Sequence, residues 1–354
     1  MSTIYSSFKI LQFQEQIEAL KKGSVLAPIH IRIKPINACN HHCWCCAYRA
    51  DNLTLGASMR IADRIPENKM EEIVQDIIDM GVKAVTFSGG GEPLLYPTIA
   101  DTMERLSQNK VQVGCLTNGA LLTGKKADIV AEHCTWIRIS MDGWDNQSYL
   151  KSRGASEHEF EKIISNIKEF NKKTPKCELG VSFIVTKENS PHIFELCSLL
   201  KSIGVKSIKI SGCVVSDSGS ENENYHVPIF NNVREQIKMA KSLNDKNFTI
   251  VDHYHIQMQS FDKPYQFCPS LTFLTVIAAD CSVYTCQDKS YTENGRLGSI
   301  KDRGFRDFWF SDEANAARAS INPQSDCRTH CVAHQKNLLL AECLDLDTKH
   351  LSFV

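Results

Sequence analysis

Residues 29–46 read Ile29-His-Ile-Arg-Ile33-Lys-Pro-Ile-Asn-Ala-Cys39-Asn-His-His-Cys43-Trp-Cys45-Cys46. The first five residues alternate apolar and polar with period two, the pattern of a strand with one buried face. Four cysteines then fall within Cys39–Cys46, on the loop leaving the carboxyl end of that strand. In α/β folds this end of the sheet is where chemistry is placed.

Outward from this stretch, strands and helices alternate. Strands are expected over 29–33, 83–87, 111–116, 136–140, 181–185 and 206–211. Helices are expected over 69–80, 97–106, 125–132, 157–171, 191–203 and 231–243. Gly81 closes the first helix and Pro97 opens the second, as helix-end chemistry prefers. Six βα units in series predict an α/β fold with a parallel sheet and helices outside it. A closed eightfold barrel needs two more units, so an open or partial (β/α)6 barrel fits better. Residues 1–28 read as an amphipathic helical extension with Phe8, Leu11, Ile17 and Leu20 broadly on one face. The barrel is expected over 29–250, and 216–224 within it as a polar loop. The βα pattern fades after 250, and 251–354, rich in Cys, Gly and turns, reads as a smaller metal-stapled module.

The chain has 354 residues, with Lys+Arg 40 against Asp+Glu 41. That balance argues against a nucleic-acid-coating protein and against a polybasic membrane binder. No apolar run approaches the roughly 18 residues a membrane span needs. The first residues lack a basic stretch followed by an apolar one, so no signal peptide is expected. The 15 cysteines are odd in number, and nothing suggests secretion. A cytoplasmic chain that uses clustered thiols for metal or redox chemistry is the expectation. The isolated Cys115, Cys134, Cys177 and Cys197 read as small buried hydrophobes.

Cys39, Cys43 and Cys46 are spaced Cys-x3-Cys-x2-Cys. Three thiolates so placed suit three irons of a 4Fe–4S cluster and leave the fourth iron open. A zinc site using His41 or His42 as a further ligand is the alternative on spacing alone. Cys45 adjoins Cys46, which makes joint ligation of one cubane awkward.

The segment from Cys39 to Cys46 resembles the cluster motif of the radical S-adenosylmethionine (SAM) enzymes. Ser88-Gly89-Gly90-Gly91-Glu92-Pro93 resembles that superfamily's Gly-Gly-Glu motif, and Ser140-Met141-Asp142-Gly143 its Ser-x-Asp-Gly segment. The resemblance implies that the three cysteines hold a 4Fe–4S cluster whose open iron is chelated by SAM. It also implies that Gly89, Gly90, Gly91 and Glu92 meet the SAM amino group. Asn118, Ser140, Asp142 and Ser182 would complete the cofactor contacts. A turn-forming role is the plain alternative for each. One position departs from the pattern: the residue before the third cysteine, usually aromatic and near the adenine, is Cys45. Stacking would pass to Trp44 or Tyr48, or be absent.

Farther on, Cys268-x17-Cys286, Gly298-Ser299-Ile300, Phe308-Trp309 and Cys327-x3-Cys331 resemble the Twitch form of the SPASM/Twitch auxiliary-cluster domain. This implies that Cys268, Cys286, Cys327 and Cys331 hold one auxiliary 4Fe–4S cluster, with a zinc ribbon as the alternative. Cys281 stands where that pattern usually has glycine. It is a candidate alternative ligand, or a hydrogen donor to a substrate radical. Cys213 is a second candidate donor, and an inert buried thiol is the plain alternative for both. His253 and His255 would point to opposite faces of a strand, so at most one faces the pocket.

The resemblance implies reductive cleavage of SAM to a 5′-deoxyadenosyl radical that takes hydrogen from a substrate. A sugar, aminosugar or related alcohol is the expected substrate, dehydrogenated or epimerised, with an electron donor such as flavodoxin or ferredoxin as partner. Neither nucleic acid nor membrane is expected as a partner. A peptide or protein maturase is the first alternative, weakened because only about 30 residues precede the first strand. A zinc-stapled binding protein without chemistry is the second.

Overall fold

The computed structural model of the protein describes residues 5–173, 175–257, 262–327, 330–347, 349–350 and 352–353. Ten strands form one sheet: β1 (His30–Ile33), β2 (Ala84–Phe87), β3 (Gln112–Thr117), β4 (Trp136–Ser140), β5 (Glu178–Val185), β6 (Ser207–Gly212), β7 (Thr249–Asp252), β8 (Leu274–Ile277), β9 (Ser282–Tyr284) and β10 (Arg296–Ser299). Their order is β10-β9-β8-β1-β2-β3-β4-β5-β6-β7, with all pairs from β8 through β7 parallel and the β8–β9–β10 pairs antiparallel. The six expected parallel strands are present and the sheet is open, ending on β7 and β10. Strand β7 is a seventh parallel strand, and the boundary expected at 250 falls inside it. Strand β8 pairs with β1, so the sheet continues through the cysteine-rich region.

Helices α1 (Gln14–Lys21), α2 (Glu67–Asp79), α3 (Ile99–Gln108), α4 (Gly124–His133), α5 (Asn146–Arg153), α6 (Glu159–Lys172), α7 (Ile193–Ser202), α8 (Gly219–His226) and α9 (Phe230–Lys241) precede a short turn, α10 (Tyr254–Gln257). The C-terminal region adds α11 (Phe305–Trp309), α12 (Asp312–Ala319), α13 (Pro323–Asp326) and α14 (His334–Leu344). The N-terminal extension is not one helix. It breaks at Phe13 between a 3-10 turn over Ser7–Gln12 and α1. Ile10, Leu11, Ile17 and Leu20 pack with Phe273 and Leu340, while Phe8 stays exposed. Two expectations are corrected. Part of the polar loop expected over 216–224 is α8, because Ser218 caps it by accepting from the Glu221 amide. His253 and His255 are not on one strand: His253 follows β7 and His255 lies in α10.

The strands carry two unlike faces. Ile31, Ile33, Val85, Phe87, Val113, Ile137, Ile139, Val181, Phe183, Ile208 and Ile210 are buried in the main apolar core with the helices. The alternate residues face the other way, as a period of two requires. On that inner face stand His30, Arg32, Thr86, Leu116, Arg138, Ser140, Ser182 and Lys209. An inner face rich in polar and charged groups is not a packed core. It lines a site.

Candidate active site

The cysteine loop leaves β1 and is held by three neighbours that reach its sulfurs. The His41 amide approaches Cys39 Sγ at 3.5 Å, and Arg153 Nη1 approaches Cys43 Sγ at 3.5 Å. The Tyr48 amide hydrogen-bonds to Cys46. Each of the three sulfurs expected to bind iron thus has an N–H donor of the kind that steadies a metal-bound thiolate. Burial raises the Cys39 and Cys46 thiols, so their deprotonation calls for a positive partner. Cys45 differs. A hydrogen bond with Cys213, added to by burial, pushes its thiol well up. It faces the end of β6 as a protonated thiol.

Arg153 is a site residue that the sequence analysis missed. It ends α5, a helix opened by a reciprocal Asp145/Ser148 cap and closed by Gly154 at φ +53. Its guanidinium pairs with Asp142, and its carbonyl accepts from the His42 amide at 2.8 Å. Burial opposes the Arg153 charge, but Asp142 and Cys43 hold it above the ordinary range. Asp142 Oδ1 also accepts from the Ile184 amide at 2.8 Å. The Asp-x-x-Ser cap followed by glycine was the available signal for this helix.

The glycine loop serves the cysteine loop. Its amides pair with that segment, Gly91 N donating to Ile36 O and Glu92 N to Ala38 O. A Cβ on Gly91 would lie 1.9 Å from the Ala38 carbonyl oxygen, so only glycine lets the two backbones meet. Glu92 is 2% exposed. Its carboxylate accepts from the Leu94 amide at 3.0 Å, Thr117 Oγ1 at 2.6 Å and the Asn118 amide at 2.7 Å. The ammonium partner expected for Glu92 therefore meets an oxygen pair already bound to β2 and β3 loops, with Oε2 the less committed. Asn118 Nδ2 reaches Asn40 Oδ1 at 2.7 Å, tying β3 to the cysteine loop. Ser140 and Ser182 lie opposite each other on β4 and β5.

Trp44 is half-exposed and lines a groove with Asp142, Trp144 and Asn189. Tyr48 is committed elsewhere: its hydroxyl accepts from Lys34 Nζ at 2.7 Å and donates to the Gln287 carbonyl at 3.2 Å. Lys34 also donates to Gly89 O at 3.2 Å, and burial pushes it down to about 7.

Cys268, Cys286, Cys327 and Cys331, spread over 64 positions of sequence, line one cavity with Asp288, Lys289 and Asn337. Asn337 Nδ2 donates to Cys268 Sγ at 3.3 Å, and the Ala333 amide to Cys331. Among the described residues no three Cys, His, Asp or Glu side chains are drawn together as a one-ion site. Four thiols around a common space, each raised by burial, fit a cluster with sulfide between its metals. Cys281 is not among the residues lining that cavity. It sits in the β8–β9 turn at φ +57, in the main core, with Lys69 and Lys301 as its nearest cations. Its left-handed backbone is why glycine suits the position. Cys213, at the end of β6, is the donor candidate that does reach the cysteine loop, through Cys45. His255 pairs with Asp252 at 2.9 Å, while His253 lies toward Lys209 and His330. Cys115, Cys134, Cys177 and Cys197 are all buried, as expected of lone thiols.

Residues 33–200 match the model of the Radical SAM superfamily, and residues 268–332 match SPASM, an iron-sulfur cluster-binding domain. The chain is similar to the tungsten-containing aldehyde ferredoxin oxidoreductase cofactor-modifying protein of Pyrococcus furiosus, 28% identical over 136 residues, 37% of this chain and 38% of that one. It is similar to the pre-heme d1 synthase of Dinoroseobacter shibae, 27% identical over 187 residues, 52% and 43% of the two chains. It spans about two fifths of the length of these curated relatives. Among solved structures its fold resembles Streptococcus suis SuiB bound to S-adenosylmethionine, with a TM-score of 0.61 at 15% identity, covering 88% of this chain and 70% of that one.

Proposed function

Because the chain belongs to the radical SAM superfamily and carries a SPASM iron–sulfur domain, we propose that it takes hydrogen from an unactivated C–H bond of a small molecule. 4Fe–4S clusters and SAM are its cofactors. The substrate we assign is a sugar, aminosugar or related alcohol, dehydrogenated or epimerised. The observation that carries the enzymatic reading is the set of donors waiting at Cys39, Cys43 and Cys46, on a loop braced by the glycine segment.

When bound, the cluster supplies the electron that splits SAM into methionine and a 5′-deoxyadenosyl radical. The protein's part is orientation. Glu92 and Asn118 hold the β2 and β3 loops against the cysteine loop, so the cofactor meets a preformed floor. Arg153 keeps a positive charge beside Cys43 and fixes Asp142. Ser140 at the end of β4 and Ser182 opposite it within β5 offer hydroxyls. Lys34, hydrogen-bonded between Gly89 O and Tyr48, sets a buried amine near both Cys46 of the cysteine loop and Cys286 of the auxiliary set. The Cys213 thiol is the group we assign to return hydrogen if the outcome is epimerisation. A flavodoxin or ferredoxin would deliver the electron, and no helix among the described residues is long and apolar enough to cross a membrane.

The test is deuterium transfer. Anaerobically reconstituted protein is reduced with SAM and a panel of deuterated sugars and aminosugars. Deuterium in 5′-deoxyadenosine identifies the substrate class. SAM cleavage with deuterium arriving only from a peptide would replace this substrate by a peptide one, and stoichiometric zinc without iron would end the enzymatic reading.

A further inference from the structure

The inner face of the sheet is cationic where a solvent cavity for neutral sugars would be expected to carry hydroxyl and amide groups. Arg32 on β1, Arg138 on β4 and Lys209 on β6 point to the same side as Ser140 and Ser182. Lys34 follows at the top of β1. These charges influence one another: Arg32 acts on Lys34, and Arg138 and Arg32 act on Lys209. Between Arg138 and Lys209 the inner positions of β5 are Gly180, paired with Arg138 and Ser207, and Ser182, paired with Lys209, so only small side chains separate the two cations.

Little in the protein answers this charge. Arg32 makes no hydrogen bond and no ion pair among the described residues, and its Nε is buried without a partner. Lys209 makes none either among the described residues; the ring face of Tyr5 lies 5.6 Å from its ammonium. Arg138 spends one N–H on the Tyr5 hydroxyl. Asp288 is the carboxylate that offsets Arg32, Lys34 and Lys209 alike, and one of its oxygens is taken by the Val332 amide. Charges largely withdrawn from water with little counter-charge are costly, and such groups are found paired or serving a ligand; Arg32, Arg138 and Lys209 each keep a part of their surface accessible. Arginine forks and lysine ammoniums together suit oxyanions, the former bidentate and the latter as point charges.

We infer that the space enclosed by Arg32, Arg138 and Lys209 binds the anionic part of the substrate, a polyanion of phosphate or polycarboxylate chemistry. This rests on the reading of the chain as a radical SAM enzyme acting on a small molecule, and it narrows that molecule to one carrying two or more negative charges. The anion would lie between Arg138, one inner position below Ser140, and Lys209, which is level with Ser140 and Ser182 in register. The reacting carbon would lie above it, toward the cysteine loop. Arg32 and Lys34 also lie near Cys286, so charge tuning of the auxiliary cluster is the competing account. Lys209 and Arg138 separate the two.

The experiment is isothermal titration of the reconstituted, SAM-loaded holoenzyme at fixed ionic strength, with inorganic pyrophosphate in one arm and citrate in the other. Saturable single-site binding in either arm is expected, the tighter arm naming the phosphate or the carboxylate source. Lys209→Met and Arg138→Gln should each weaken that binding about tenfold or more, the worth of one charged hydrogen bond. Lys209→Arg should stay within about threefold of the parent, since it keeps the charge. Iron content and the thermal unfolding midpoint certify that each variant is folded, and Arg138→Gln still decides the matter if Lys209→Met is not. Binding in neither arm overturns the inference. So does equal affinity in the charge-removing variants, or a shift of the auxiliary-cluster potential in them with unchanged anion affinity. The titration needs no turnover. Failure of the parent protein to form 5′-deoxyadenosine would instead count against the enzymatic reading and leave the anion site to be judged on its own.

Discussion

Arg153 Nη1 stands 3.5 Å from Cys43 Sγ, while the same guanidinium pairs with the buried carboxylate of Asp142. A helix end thereby links a residue beside the strand termini to a sulfur of the cysteine loop. Removing one partner of a buried pair leaves the other charged and dry, a loss of about 3–5 kcal/mol. Arg153→Met should therefore destabilise the protein by that amount in urea unfolding. The double variant with Asp142→Asn should recover much of it, because the stranded carboxylate is gone. A single-variant loss under about 1 kcal/mol would show instead a pair worth no more than an exposed one.

The two sets of thiols should separate by function. Alanine at Cys39, Cys43 or Cys46 should abolish 5′-deoxyadenosine formation. The paired change Cys268→Ala/Cys286→Ala should lower iron by about four atoms per chain, the content of one cubane. Retained SAM cleavage in any of the first three would refute those ligands. Unchanged iron in the paired variant would refute the second set.

The parallel sheet, its six first strands and the lone buried cysteines were legible because period-two and helical patterns run over many residues, where burial on one face forces the choice of residue. The cysteine and glycine segments were legible for the same reason their roles are narrow: few other residues supply thiolates or let backbones meet. Strand β7 and the β8–β10 extension were not, because Thr249-Ile250-Val251-Asp252 shows no period-two alternation and β8–β10 follow one another without an intervening long helix. Arg153 was hidden differently. Nothing local marks an arginine whose value comes from a cysteine 110 positions away. Cys281 misled in the opposite sense. Its place near other cysteines in sequence suggested a pocket, but the left-handed turn that holds it directs the thiol into the core.

Cys281→Ala should accordingly leave SAM cleavage and product configuration unchanged. If the product is an epimer, Cys213→Ala should still permit formation of 5′-deoxyadenosine while the substrate radical is quenched without inversion or by solvent, read as loss of the inverted isomer. Loss of inversion in Cys281→Ala alone would exchange the two assignments.

Gly91→Ala places a methyl group where the Ala38 carbonyl stands, 1.9 Å from the oxygen. The nearest atoms, from Ala38 and Asn37, are all backbone, so none can swing aside. Overpacking of this kind costs about 1–3 kcal/mol and here displaces the cysteine loop itself. The variant should fold with a lowered unfolding midpoint and reconstitute with less iron on the first cluster while the auxiliary cluster fills normally, as electron paramagnetic resonance of the reduced protein would read. Equal filling of both clusters would mean that the glycine loop does not brace the cysteines.

Lys209 gives the site a pH dependence whose sign follows from its surroundings. Burial, then Arg138 and Arg32, push it down to about 7, against Asp288; Lys336 adds to the depression, and His253, His330 and Tyr5 also face it. Between that value and the ordinary lysine range near 10.5, the unfolded chain holds a proton that the native protein lacks. Native stability should therefore rise with pH across this window, and Lys209→Met should flatten part of the rise. A bound polyanion restores the favour for the charged form. At pH 8 its binding should therefore take up protons, measured as a dependence of the binding enthalpy on the buffer's ionisation enthalpy, and at pH 6 it should take up far fewer. Lys209→Met should lose most of the uptake. An uptake at pH 8 that survives in Lys209→Met would assign the proton to another of the inner cations and detach Lys209 from the anion.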